Sequence, residues 1–160
     1  MRFTAVVLST GIASLYLAAC SQQVDTNNIE VQNIPNSEPS QYGLSALSEE
    51  DMRNTTLQGE LGCSFTASNE DVLLIAKGYV GSSEPSEGVI KLDRELLQIK
   101  SPGGFDGMVR GTTFEGEDYT VLVTVTGDAT VNGESPPYPG ELTLKGADQS
   151  VIIGQWVCGP

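Results

Sequence analysis

The side chains that could do chemistry are few. The chain holds three cysteines, Cys20, Cys63 and Cys158, and no histidine. Without histidine there is no Ser-His or Cys-His catalysis and no His-ligated metal site. Ser64 follows Cys63 without the glycine-flanked turn that exposes a nucleophile. Glu115, Glu117 and Asp118 gather acids in one place, but their spacing is not that of a calcium loop, and a solvated hairpin tip accounts for them. No spacing singles out two carboxylates for glycoside cleavage. The expectation is therefore a chain that is not an enzyme and has no cofactor and no metal. The remaining stretch of interest is Gly103-Gly104-Phe105-Asp106-Gly107, followed by Arg110.

Cys20 is explained by its surroundings. Arg2 is the only charge in the first nineteen residues, and an apolar run from Phe3 to Leu17 follows, broken by Ser9, Thr10, Gly11 and Ser14. A charged start, an apolar middle and small residues before a cut describe a secretory signal. The run is short and interrupted for a membrane span. Leu17-Ala18-Ala19-Cys20 resembles the lipobox of bacterial lipoproteins. That resemblance implies removal of residues 1–19, a lipid thioether on Cys20 and membrane attachment through it. Ser21, where an Asp would otherwise direct retention, implies the outer membrane, facing the periplasm.

Charge narrows the partners. The chain has 160 residues with a formal net charge of −13. Nucleic acid and anionic lipid headgroups both call for Lys and Arg, so neither is expected as a ligand. A basic protein would be attracted. With Cys20 lipidated, Cys63 and Cys158 are an even pair in an exported chain, which reads as one disulfide.

From Ser21 to about Gly43 the chain is Gln, Asn, Ser, Pro and acid, with too little apolar content to build a core. Residues 20–56 are assigned as a lipidated polar tether and 57–160 as the folded domain. Within the tether, Ser48-Glu49-Glu50-Asp51 has the pattern of a capped helical turn. The domain opens with alternation from Leu57 through Cys63 to Phe65, and a second strand is expected over Asp71–Val80. Shorter strands are expected over Val89–Leu92 and Glu95–Ile99. Met108–Phe114 and Tyr119–Thr126 should pair as a hairpin across Glu115–Asp118. In the second of these, Val121, Val123 and Val125 alternate with Leu122, Thr124 and Thr126, a strand pattern. Gly133–Gly140, with three prolines, reads as a loop before final strands at Leu142–Lys145 and Val151–Cys158. The predicted fold is all-β: a small antiparallel β-barrel or sandwich of about eight strands, closed by one disulfide. Alternation places Cys63 with Leu61 and Phe65, and Cys158 with Ile152 and Trp156, so both thiols face the core.

The stretch from Ser101 to Arg110 has two readings. Its glycines suit a tight turn or bulge entering a strand. If the domain binds a partner, Ser101, Gly103, Gly104, Phe105, Asp106 and Arg110 form the candidate binding loop, because Phe105 lies outside any alternating strand. An exposed Phe105 would be an anchor for a partner, whereas a buried one would plug the end of the barrel.

Two further resemblances carry expectations. Gly59–Phe65 (Gly-Glu-Leu-Gly-Cys-Ser-Phe) and Gly154–Pro160 (Gly-Gln-Trp-Val-Cys-Gly-Pro) resemble the opening and closing stretches of small proteobacterial lipoproteins of unknown function. Ser101-Pro102-Gly103-Gly104-Phe105 is similar in place to the Ser-Gly-x-x-Tyr loop of membrane-bound lysozyme inhibitors, which implies Ser101 and Arg110 as contacts. The functional expectation is a non-catalytic binding module on an envelope lipoprotein. The alternatives are a structural envelope component or a protein of the lysozyme-inhibitor kind.

Overall fold

A computed structural model describes residues 43–146 and 149–160; Cys20, the signal and most of the tether lie outside the described residues. The elements in chain order are β1 (Leu44–Ser45), α1 (Glu49–Asn54), β2 (Leu61–Ala67), β3 (Val72–Gly78), β4 (Ser86–Leu92) and β5 (Glu95–Ser101). They are followed by β6 (Gly111–Glu115), β7 (Thr120–Val125), β8 (Tyr138–Lys145) and β9 (Ser150–Gly159). Hydrogen bonding runs β4-β3-β2-β9-β8-β7-β6-β5 and returns from β5 to β4, which closes an eight-stranded antiparallel barrel. β1 is an extra strand paired to the end of β4, Leu44 opposite Leu92 and Ser45 opposite Lys91.

The inward rows explain why these strands form one barrel. Phe65, Leu74, Ile90, Ile99, Phe114, Val121, Val123, Leu142 and Trp156 are all at most 2% exposed and belong to one core. An eight-stranded barrel is just wide enough for such side chains to fill its interior, so the lumen is packed core. Val121 and Val123 point in along β7 while Leu122 and Thr124 point out, as the alternation predicts. The hairpin across Glu115–Asp118 also forms, with Glu115 opposite Thr120.

Several strand boundaries differ from expectation. β2 begins at Leu61 because Gly59, at φ +143°, leaves extended geometry just before it. β4 and β5 are each longer than expected, since their polar ends, Ser86 and Ser101, are buried where the strands pair with each other. Tyr138, Pro139 and Gly140 were expected in a loop, yet they belong to β8. Pro139 lies opposite Gln155 and Gly140 opposite Gly154. Met108 was expected on a strand; it lies in a run of turns, and β6 starts at Gly111.

The ordered domain also starts before Leu57. Leu44 and Leu47 are buried, and the Leu47 N–H donates to the Val72 carbonyl at 2.8 Å. Ser48 caps α1 as its sequence suggests: its hydroxyl accepts from the Asp51 N–H, and the Asp51 carboxylate accepts from the Ser48 N–H. A six-residue helix is too short to stand alone, and here it is pinned from outside. Lys91 Nζ meets Asp51 Oδ2 at 2.7 Å, and the Gln58 N–H donates to Glu87. Lys91, Val89 and Glu87 share the outer row of β4, so the chain from Asp51 to Gln58 is strapped along that row. Val89 is 2% exposed although it faces away from the lumen, as a covered outer position would be. The hydrogen bond from Lys91, then those from Ser48, hold the Asp51 carboxyl at about 2, below the ordinary value of 3.8.

Candidate functional site

The Ser101–Arg110 stretch closes one end of the barrel. Strand directions place the start of β2, the end of β3, the end of β5 and the start of β6 at this same end. The connection from β5 to β6 crosses it in successive turns, Gly107 N–H to the Gly103 carbonyl, Met108 N–H to Phe105 and Gly111 N–H to Met108. Met108 is fully buried, and its carbonyl accepts the Trp156 indole N–H at 2.8 Å. A buried indole needs such a partner, and the loop backbone supplies it.

In this arrangement the loop lies against the end of the barrel. Phe105 is half-buried against the core, and its N–H donates to the Tyr79 carbonyl at 3.1 Å. Gly104 is buried; at φ +55° a side chain there would come within 2.5 Å of the Tyr79 carbonyl oxygen. Gly78 faces the loop in turn, and a Cβ on it would stand 2.5 Å from the Phe105 nitrogen. The glycines thus let two backbones touch, the turn reading taken first. Ser101 is 1% exposed with its hydroxyl against Thr112 Oγ1, so it is not available to a partner. Asp106 is exposed and accepts from the Gly81 N–H, while Arg110 is exposed with its guanidinium 4.8 Å from the Tyr138 ring centre. Gly103 is half-buried and lies one turn from Gly107. Phe105 packs half-buried against the core from the loop, and Met108 is the fully buried side chain at this end.

The two thiols are joined. Cys63 and Cys158 lie directly opposite each other on neighbouring strands β2 and β9, and their sulfurs are bonded across 95 residues of sequence. Trp156 is one inward position away, opposite Phe65, and is fully buried. Glu115 accepts a hydrogen bond from the Thr120 hydroxyl at the hairpin tip. Among the described residues no group of three or more acids or cysteines stands as a metal-ligand set.

A different surface offers a concavity. A groove of about 390 Å³ lies on the outside of β3, β2 and β9, lined by Leu57, Gly62, Ser64, Ile75, Lys77 and Val157, with Glu60 at its edge. Its depth has a simple cause. Gly62 lies opposite Gly159 and Ser64 opposite Val157, so small residues keep the floor low on β2, while Ser135 packs over Gly159 and forms part of the wall. Leu57 forms one wall because the strap carries it over the barrel. No family model, curated protein or solved structure matches this chain. The groove therefore stands on its geometry alone. Alternation in the sequence puts Ser64, Ile75 and Val157 on outer rows, but nothing local shows that β2 and β9 are neighbours.

Proposed function

We propose that the chain is an envelope lipoprotein, cut before Cys20 and held in the outer membrane by lipid on that cysteine, whose β-domain is a non-catalytic binding module facing the periplasm. The observation that carries the binding reading is the filled lumen, stoppered by Met108 at one end and entered by Leu44 at the other. Buried side chains from all eight strands fill the barrel interior among the described residues, and the reading assigns recognition to the outer surface, where the groove lies. The disulfide agrees with export to an oxidising compartment. Net charge points to a basic protein as the partner.

The test is capture from envelope extract by the full mature chain. A discrete partner, retained at low salt and released as salt rises, supports the reading. Recovery of no partner at any salt concentration counts against it.

A further inference from the structure

The outer row of β9 departs from the usual alternation. Its inward residues are Ser150, Ile152, Gly154, Trp156 and Cys158; its outward residues are Val151, Ile153, Gln155 and Val157. Val151 is 46% exposed and Ile153 58%. The solvated face of an antiparallel sheet is ordinarily polar. Here two successive outward positions, Val151 and Ile153, are exposed and apolar before Gln155 interrupts the row, and such a patch marks an interaction surface. The row also leads somewhere, because Val157 lines the groove together with Leu57 and Ile75. Acids border it. Glu141 lies beside Ile153 on β8, and Glu60 lines the groove. Ser68 donates to the Ile153 carbonyl, bringing the β2–β3 turn with Glu70 and Asp71 to the far end.

We propose that the outer row of β9 and the adjoining groove dock a cationic, amphipathic polypeptide segment. Its apolar side chains lie along Val151, Ile153 and Val157, and its Lys or Arg residues meet Glu141 and Glu60. The charge of the chain selects this occupant. At −13, a second copy, an anionic lipid surface and a nucleic acid are all repelled, whereas a basic segment is steered in. The inference rests on the binding-module reading and gives it a site.

The experiment is an anisotropy titration of the purified full chain with a labelled peptide of alternating Lys and Val. Peptides of alternating Lys and Ser, and of Glu and Val, serve as comparisons. The Lys-Val peptide should bind at least tenfold tighter than either, and Ile153→Lys should weaken it at least tenfold. Leu96→Lys makes the same charge change at a separate exposed apolar position on β5 and should move the Kd less than twofold. Circular dichroism melts confirm that both variants fold. Equal binding of Lys-Ser, or equal loss in the two variants, overturns the site in favour of unspecific charge attraction. So does a concentration-dependent dimer that Ile153→Lys abolishes. A partner captured from extract equally by wild type and Ile153→Lys overturns the site and leaves the binding-module reading standing. If nothing is captured while Lys-Val binding still depends on Ile153, the broader reading fails alone.

Discussion

Removing the Met108 side chain tests how the barrel end is closed. Met108 is fully buried in the core although it belongs to a connection between strands. Met108→Ala deletes a thioether that neighbouring strands cannot collapse to replace, since the loop backbone is fixed by the Trp156 N–H and by the close approach of Gly78 to Phe105. Buried Met→Ala changes cost about 2–5 kcal/mol. For a domain of this size each kcal/mol lowers the Tm by roughly 4 °C, so a loss of roughly 8–20 °C is expected. Phe105→Ala removes a ring that is only half-buried, and should cost about half of the 3–5 kcal/mol of a fully buried Phe. Thermal melts of both variants, with urea titrations to confirm an unchanged m-value, make the comparison. A Met108→Ala protein as stable as wild type refutes the stopper. A larger loss in Phe105→Ala than in Met108→Ala would show that the ring, not the thioether, seals the end.

Asp51 predicts a pH dependence. Its carboxyl pKa is lowered to about 2, so the stabilisation it gives is present above the unfolded value near 4 and is lost as pH falls from about 4 to about 2. The pair with Lys91 is partly solvated and screened, so about 1–2 kcal/mol is expected. Asp51→Asn should flatten the melting temperature across that window; an unchanged slope would refute the assignment. The Cys63–Cys158 bridge closes a loop of 95 residues, which gives about 4–5 kcal/mol in the chain-entropy model. Cys158→Ser should therefore melt much lower, and two alkylatable thiols in the native exported protein would contradict the pairing. Cys20→Ser should abolish incorporation of labelled fatty acid; equal label in mutant and wild type would sink the anchoring proposal.

What the sequence determined by itself was local and periodic. Alternation in β7 marked Val121 and Val123 as core, because a strand's side chains change face at every residue. The Ser48–Asp51 pattern announced its cap, because both partners of a capping box lie within one turn. The inward rows of Cys63 and Cys158 made their pairing readable before any strand order was known. Tertiary structure decided whatever depends on which segments become neighbours. Phe105 and Met108 sit three residues apart in one glycine-rich stretch, and no local pattern tells which of them enters the core; the approach of Gly104 to Tyr79 decides it. Residues 44–56 read as polar tether because their anchors, Lys91 and Val72, lie far along the chain. The groove arises only when barrel closure brings Gly62 beside Gly159. A concavity made between two distant strands has no signature within either strand.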